Sequence, residues 1–253
     1  MPEFRSWRSY WEFEKSVKLK NRYVRESSAE DFLNTVLATS KSREKRISKG
    51  SHLWRSQLGY HWEPVGVDDQ EDVDGELCPL SPDRMKPPPN MATEGRANPK
   101  GIPYLYLATD KETAMAEVRP GLGSLISVGQ LKVMQDLVVV DCSAYHQDSA
   151  IYLREPAPEE RERAVWSHID RAFCTPISPR DQTAEYIPTQ IIAELFKNNG
   201  ADGIIYKSAL GKGSNVVLFD LAAAELVNCF LYQARKVSFD FEETANPYSV
   251  REH

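Results

Sequence analysis

The sequence of 253 residues has no hydrophobic run that approaches the roughly 18 apolar residues needed to span a membrane. Charged residues begin at position 3, so the first residues do not form the apolar stretch of a secretion signal. The four cysteines are widely spaced, and the nearest two lie 32 positions apart, which matches no zinc motif. We therefore expect a cytoplasmic protein with reduced cysteines, no membrane segment and no metal site.

The chain also lacks the phosphate-binding patterns G-x-G-x-x-G and G-x-x-x-x-G-K-[ST], and it has no internal repeat. What it does have is enough apolar material, 41 % of residues, for one substantial core. Its charge is uneven: residues 1–50 hold 12 Lys+Arg and 7 Asp+Glu, whereas the remainder is acidic. This contrast predicts a basic N-terminal extension, residues 1–50, attached to an acidic main domain, residues 51–238.

Two amphipathic helices are predicted in the extension. The first carries a stripe at helical spacing, formed by Trp7, Tyr10, Trp11, Glu14 and Val17. The second spans 27–40, where Ser27 and Glu30 have the spacing of a capping box. We expect the main domain to cover their apolar faces; a membrane surface or a nucleic acid, contacted by the basic run at 41–50, is the alternative.

Two further segments are predicted to be irregular. Residues 66–91 combine an acidic run with three consecutive prolines, which indicates a long surface loop. Six acidic residues in that loop do not follow the calcium-loop pattern. Residues 239–253 are predicted to be a C-terminal tail.

Short apolar runs alternate with helical patterns in the main domain. Strands are predicted at PYLYLA, LVVVD, GIIY and NVVLFD, with one or two edge strands in VNCFLYQARKVSFDF. Helices are predicted at 111–118, 158–173 and 189–199, the last ending at Gly200. The pattern predicts an α+β fold with mixed sheets and flanking helices.

The stretch GRANPKGIPYLYLATDKETAMAEVR, residues 95–119, concentrates polar groups that suit a binding site. Arg96 lies between glycines, and its guanidinium could bind phosphate or could be an ordinary surface group. Tyr106 lies on an aromatic strand, and Thr109 with Glu112 has capping-box spacing for the next helix. Glu117 falls in that helix's last turn, at the negative end of the helix dipole, which an active-site role would explain; simple exposure to water is the alternative.

A second polar segment follows the predicted strand GIIY. The loop KSALGKGSN contains Lys207, Ser208, Ser214 and Asn215 between two buried strands. Such small polar groups at strand ends are typical of ligand sites and equally typical of hairpin connections, so both interpretations stay open.

The order of three motifs resembles the RES family: GRANPKGIPYLYLA, then AMAEV, then DGIIYKS, within a region of about 53–219. The N-terminal helices with LWRSQLG are similar to an extension found on some members. The resemblance implies an ADP-ribosyltransferase-like fold, NAD as a substrate and a role as the toxin of a toxin–antitoxin pair. It makes Arg96, Glu117 and Ser208 the catalytic candidates. The substrate-binding candidates are Arg55, Asn98, Tyr106 and Asn215.

Breaking the nicotinamide–ribose bond of NAD develops positive charge on the sugar, which a nearby carboxylate stabilises. The resemblance therefore predicts an NAD glycohydrolase or phosphorylase in which Glu117 has this role and no metal is needed. Arg96 and Arg55 would hold the pyrophosphate, Tyr106 would stack on nicotinamide, and Ser208 would orient it.

Other functions stay open at this point. A protein acceptor would make the enzyme a mono-ADP-ribosyltransferase, and a nucleotide-binding module without turnover is a further alternative. Arg46 with His52, and Arg55 with His61, fit the R-x(4–6)-H pattern of helical ribonucleases, although nucleic acid is not the favoured partner. The resemblance implies a cognate helix-turn-helix-containing antitoxin; the N-terminal helices could instead restrain the enzyme or form a homodimer interface.

Overall fold

A computed structural model describes residues 3–64, 75–88, 91–146, 151–176 and 182–238. It confirms an α+β fold in which helices flank a mixed sheet. No helix in these ranges is long and apolar enough to cross a membrane. The predicted C-terminal tail lies outside the described residues, and the boundary at residue 50 stays a prediction.

Ten strands form the sheets. They are β1 (Glu44–Ile47), β2 (His52–Leu58), β3 (His61–Pro64), β4 (Gly75–Cys78), β5 (Leu105–Ala108), β6 (Leu125–Val133), β7 (Leu137–Asp141), β8 (Gly203–Lys207), β9 (Ser214–Leu218) and β10 (Ala224–Gln233). Eight of them make one sheet in the order β1-β7-β8-β9-β5-β2-β6-β10, and β3 pairs with β4 separately. Only β7 and β8 run parallel among these described neighbours. The edge position predicted for β10 is confirmed.

The helices lie mainly at the N-terminus and between β7 and β8. They are α1 (Ser9–Leu19), α2 (Ser27–Ser40), α3 (Lys111–Glu117), α4 (Pro158–Cys174), α5 (Gln182–Glu185) and α6 (Ile187–Asn198). Gly200 has a φ of 90°, a left-handed conformation that glycine adopts without steric cost, and it ends the last helix as predicted.

Alternating side chains divide the core between the two faces of the sheet. Tyr104, just before β5, and Tyr106 within it face the helices, whereas Leu105 and Leu107 belong to a cluster on the other face. Successive strand residues point to opposite faces, so the central strands β5, β7, β8 and β9 contribute to both clusters. The main domain is therefore held from both sides of a single sheet.

The N-terminal helices pack against the main domain, as the sequence predicted. Phe13 of α1 and Val36 of α2 are buried in the same cluster as Trp166 of α4. The Trp166 indole donates a hydrogen bond of 3.1 Å to the hydroxyl of Thr39 in α2. Each large side chain buried in this way stabilises the fold by about 1.5–3 kcal/mol, so the extension contributes substantially to the core.

Several local predictions in the N-terminal half were wrong. Residues 44–47 of the extension are not helical but form β1, which pairs with β7 in the main sheet. Glu26 rather than Ser27 precedes α2, with no side-chain cap, so the predicted capping box is absent. For α3 the cap is Asp110, whose carboxylate accepts a hydrogen bond of 2.8 Å from the Thr113 amide. Aspartate at that position satisfies an amide that the helix leaves free.

The predicted loop at 66–91 is also partly ordered. Residues 75–78 form β4 opposite β3, and 82–85 form a short 3-10 turn in which Met85 is fully buried. An element of four residues is too short to show a periodic pattern, so the sequence does not distinguish it from a loop. Residues 66–74 and 89–90 lie outside the described residues.

Candidate functional site

A cleft opens where the main sheet divides. β5 and β2 are paired at a single position, Trp54 with Ala108, although β5 pairs over its full length with β9. Side chains from both strands line the resulting space of about 370 Å³. Its described lining comprises Trp54, Arg55, Ser56, Gly95, Arg96, Tyr106, Leu107, Ala108, Ala114, Glu117, Val118, Tyr186, Tyr206 and Asn215. This volume is typical of small-molecule sites.

Glu117 lies on one wall of the cleft, in the last residue of α3. Its Oε1 accepts hydrogen bonds from the Ser208 hydroxyl at 2.6 Å and from the Asn215 side-chain amide at 2.7 Å. Its Oε2 makes no hydrogen bond to any described residue. One carboxylate oxygen is thus fixed by the protein while the other remains available.

Ser208 is buried and holds the loop that follows β8. Its oxygen accepts hydrogen bonds from the amides of Leu210, at 3.1 Å, and Gly211, at 2.9 Å, while its hydroxyl donates to Glu117. These three bonds use its single donor and both lone pairs. In this structure Ser208 therefore positions the carboxylate, and it has no hydrogen-bonding capacity left for orienting nicotinamide.

The same loop also fixes the start of α3. The Gly213 amide donates to the Thr113 hydroxyl at 2.9 Å, and that hydroxyl donates to the Asp110 carboxylate at 3.0 Å. A β-carbon on Gly213 would lie 1.8 Å from that carboxylate, so only glycine permits this approach. The short helix that carries Glu117 is thus attached to one loop at both ends.

Asn98 and Tyr106 organise the loop that carries Arg96. The Tyr106 hydroxyl donates to the Asn98 side chain at 2.6 Å and accepts from the Ala97 amide at 3.0 Å. The Asn98 amide nitrogen in turn donates to backbone carbonyls of Thr93, Pro99 and Ile102. Burial raises the pKa of Tyr106 well above its usual value, so the ring enters the cleft wall with a neutral, fully bonded hydroxyl.

Asn98 itself is buried and lies outside the described lining of the cleft. The amide group of its side chain is already hydrogen-bonded within the loop and to Tyr106, so in this structure Asn98 supports the loop and does not face the cleft. Gly95 belongs to the same arrangement, because an added β-carbon would lie 2.5 Å from the Tyr106 hydroxyl. Gln190 of α6 supports the loop from behind, donating to the Gly95 carbonyl at 2.9 Å.

Arg55 lies on the opposite wall, in β2. Its Nη1 donates to the Tyr106 carbonyl at 3.0 Å, whereas its buried Nε has no hydrogen-bond partner among the described residues. No described carboxylate forms an ion pair with the Arg55 guanidinium. Burial lowers the pKa of Arg55 from its ordinary value. Even a partly buried cation without a counter-charge is unfavourable, and an anionic ligand would offset that cost.

Ser56, next to Arg55, was not predicted as a site residue. It lines the cleft, is only 8 % exposed, and its hydroxyl has no hydrogen-bond partner among the described residues. Buried hydroxyls are usually paired, so this one is available to a ligand. No signal in the sequence marks it, because a serine after an arginine has no distinctive spacing.

Arg96 lies at the rim of the cleft. Its guanidinium donates to the Thr175 carbonyl at the end of α4 and lies 6.0 Å from the Tyr186 ring. Its own backbone carbonyl accepts from the Thr189 hydroxyl at 2.6 Å. Arg96 therefore lies between α4, α6 and the cleft, and part of its guanidinium donates away from the cleft.

Two tyrosines complete the aromatic wall. Tyr186 precedes α6, and Tyr206 in β8 stacks on Phe173 of α4 with ring centroids 5.4 Å apart. Burial raises the pKa of Tyr206 well above its ordinary value. Tyr206 belongs to the DGIIYKS motif, so the sequence does carry a signal for it, whereas Tyr186 has no such signal.

The arginine–histidine patterns do not form a comparable cluster. His52 begins β2 and is exposed, and His61 lies in β3, where its Nε2 is 3.0 Å from the Glu63 carboxylate. Both histidines are on strands, so neither pattern has the helical setting from which it was predicted. The basic run at 41–50 is also partly engaged: Arg43 is buried against the rings of Tyr145 and Trp166.

The chain was compared with known proteins. A family model described as the RES domain matches residues 78–242, a range that includes Arg96, Glu117 and Ser208 and begins after Arg55. Among solved structures the chain is similar to the M. tuberculosis MbcT–MbcA toxin–antitoxin complex, with a TM-score of 0.40 and 17% sequence identity over 78% of this chain and 91% of that one. A comparison with curated proteins finds no match.

Proposed function

Because the chain belongs to the RES domain family, we propose that it is an NAD-consuming enzyme that breaks the bond between nicotinamide and ribose and acts as a toxin. The observation that carries this proposal is that one cleft is lined by groups of opposite charge. Glu117 presents a free carboxylate oxygen from one wall, and from the other Arg55 presents a partly buried guanidinium that forms no ion pair with a described carboxylate.

The chemistry fits this arrangement. The nicotinamide ring is cationic before cleavage and leaves as a neutral molecule, so the leaving group needs no strong acid. The ribose gains positive charge as the bond breaks, and a fixed carboxylate stabilises that charge without having to reorganise. Ser208 and Asn215 would serve this step as positioning residues, since they hold the other oxygen of Glu117.

The arginine side suits the pyrophosphate. Arg55 would bind it by charge-assisted hydrogen bonds, with Arg96 contributing from the rim. Ser56 would add a neutral hydrogen bond to the same part of the ligand. Tyr106 and Tyr206 would offer aromatic surface to the nicotinamide or adenine ring.

The acceptor of the ADP-ribosyl group is proposed to be water or phosphate. A cleft open to solvent admits either, and the resulting loss of NAD would account for toxicity. Transfer to a protein side chain is the second candidate function, in keeping with the ADP-ribosyltransferase-like fold that the family resemblance implies. A cytoplasmic location belongs to the proposal, because that is where the substrate is available.

The test is a product analysis. Purified protein is incubated with NAD, with and without phosphate, and with a mixture of cytoplasmic proteins, and the products are identified by mass. Free nicotinamide with ADP-ribose or its phosphorylated form supports the proposal. Labelled protein would favour the transferase, and intact NAD under every condition would reject both. Calorimetric binding of NAD without turnover would instead indicate a nucleotide-binding module.

A protein partner is proposed on the same basis. An enzyme that depletes NAD would harm its host, so a helix-turn-helix-containing antitoxin that blocks the cleft is expected. Co-expression with the neighbouring reading frame should rescue growth. Harmless expression of the chain alone would favour restraint by the N-terminal helices, and light scattering would show whether these helices join two copies.

The ribonuclease alternative has a direct test. Replacing His52 and His61 together should leave toxicity unchanged under the proposed function, because neither residue lines the cleft. Loss of toxicity with intact NAD cleavage would favour a nuclease.

A further inference from the structure

A second group of reactive side chains lies on the helix side of β8, outside the lining of the cleft. It consists of His146, Asp170 and Cys174, which are far apart in the sequence. Asp170 and Cys174 are one turn apart on α4 and share a face of that helix. His146 directly follows the 3-10 turn Ser143–Tyr145, which packs on α4.

The donor atoms of these three residues converge. One oxygen, nitrogen or sulfur atom from each lies within 4.8 Å of the others. The His146 Nδ1 already contacts the Asp170 Oδ2. Asp170 is fully buried and Cys174 is 8 % exposed, whereas the imidazole reaches solvent. The group therefore has a buried floor and an open side.

Asp170 is poorly neutralised by its surroundings. Its only described partners are the His146 ring and the Lys207 amide, which donates to Oδ1 at a long 3.3 Å. The nearby Asp141 has its own cation, Lys45, and accepts two hydrogen bonds from Ser143. A buried carboxylate generally requires a cation or several donors, and Asp170 has neither in full.

We propose that His146, Asp170 and Cys174 form a binding site for a divalent transition-metal ion, with zinc as the preferred ion. One sulfur, one nitrogen and one carboxylate oxygen form a ligand set that zinc accepts, and softer thiolate coordination selects against magnesium and calcium. Tetrahedral zinc places its ligand atoms roughly 3 to 4 Å apart, so side-chain adjustments of about 1 Å close the site. A water molecule would occupy the fourth position on the exposed side of His146.

The site is connected to the cleft from both ends. The Asp170 Oδ1 accepts from the Lys207 amide, and Lys207 precedes Ser208, which holds Glu117. Cys174 precedes Thr175, whose carbonyl accepts a hydrogen bond from Arg96. Metal binding would pull Asp170 and Cys174 together and thereby stiffen the supports of two predicted active-site residues.

Cobalt(II) provides a direct test, because its absorption spectrum reports both geometry and sulfur ligation. The full chain, without a histidine tag and stripped of metal, is titrated with cobalt alone and then with zinc. We expect one equivalent to bind with the visible bands of a tetrahedral ion and a near-ultraviolet sulfur-to-cobalt band, all displaced by zinc. Absence of binding, or an octahedral spectrum without a sulfur band, would overturn the proposal.

Variants identify the ligands. Cys174→Ser should remove the sulfur band and weaken zinc binding by about tenfold or more. Cys229→Ser, which removes a thiol on the edge strand β10, should change neither. His146→Ala alters a partly exposed side chain and so tests the site even if the Cys174 variant does not fold; it should keep the sulfur band while losing affinity. A sulfur band that persists in Cys174→Ser, or zinc affinity unaffected by His146→Ala, would refute the site. None of these readouts depends on NAD cleavage.

Discussion

The two walls of the cleft differ in how far the protein satisfies its own polar groups. On the glutamate wall, Ser208 and Asn215 both bind one oxygen of Glu117, and the loop and helix that carry these residues are tied together. On the arginine wall, Arg55 is partly buried and Ser56 is buried, and the Nε of Arg55 and the hydroxyl of Ser56 have no hydrogen-bond partner among the described residues.

This difference suggests a division of labour. A group that acts in the transition state benefits from being fixed in advance, because the protein then does not reorganise during the reaction. A group that binds the ligand needs free donors, because hydrogen bonds already made within the protein would have to be broken. The glutamate wall is thus suited to chemistry and the arginine wall to affinity.

The largest effect is expected for Glu117→Gln. The amide preserves size and most hydrogen bonding but removes the charge that stabilises the developing cation, so kcat should fall at least about a hundredfold while KM changes little. Steady-state kinetics with NAD would measure this split, with thermal unfolding as the control for folding. Near-native turnover would mean that Glu117 is only a helix-end carboxylate and would end the proposed mechanism.

Arg55→Met should weaken substrate binding. It removes the partly buried cation, so kcat/KM is expected to fall roughly tenfold to a hundredfold, mainly through KM. The stability should change little, because losing a desolvated charge offsets the lost donor to the Tyr106 carbonyl. Arg96→Ala, at the rim, is the matched comparison and should have a smaller effect. A larger fall in kcat/KM for Arg96→Ala than for Arg55→Met would place the pyrophosphate nearer Arg96.

Ser208→Ala should reduce kcat about tenfold, since Glu117 keeps Asn215 but loses one of its two donors. The variant should also lose about 1–2 kcal/mol of unfolding free energy, because the amides of Leu210 and Gly211 lose their acceptor. Ser214→Ala, in the same loop region, is the control and should be nearly neutral. If Ser208→Ala raised KM without changing kcat, Ser208 would contact substrate rather than position Glu117.

The smallest effect is expected for Ser56→Ala. This variant should weaken substrate binding without lowering the stability of the fold. Removing an unpaired buried hydroxyl should leave thermal stability unchanged or raise it slightly. Removing a ligand contact should raise KM about threefold. Calorimetry and kinetics on the same preparation measure both, and a loss of stability with unchanged KM would show that the hydroxyl serves the fold instead.

Much of the fold could be read from local sequence, although the strands β2 and β6 were not predicted. The apolar runs of β7, β8 and β9 are strong signals because both faces of these strands are buried. The periodicity of α4 and α6 is a strong signal because one full stripe of each helix is buried. β2 was missed because its sequence, HLWRSQL, carries polar residues into the cleft. A strand that lines a binding site departs from the alternation that would reveal it.

The site shows the same limit. Glu117, Ser208 and Asn215 could be named as candidates from the sequence. The sequence does not reveal that Ser208 and Asn215 bind the same oxygen of Glu117. In the group of His146, Asp170 and Cys174, the last two have helical spacing, but only the packing of the 3-10 turn on α4 brings His146 to them. Contacts between distant segments depend on topology, which local patterns do not encode.

The central position of β5 between β9 and β2 has a consequence for synthesis. The cleft needs Arg55 and Asn215, and the ribosome makes those two residues 160 positions apart. At about 5–20 residues per second, on the order of ten seconds or more separates them. Until Ser208 and Asn215 have been made, Glu117 lacks the hydrogen-bond donors that fix it, so under the proposed function the nascent chain should not cleave NAD.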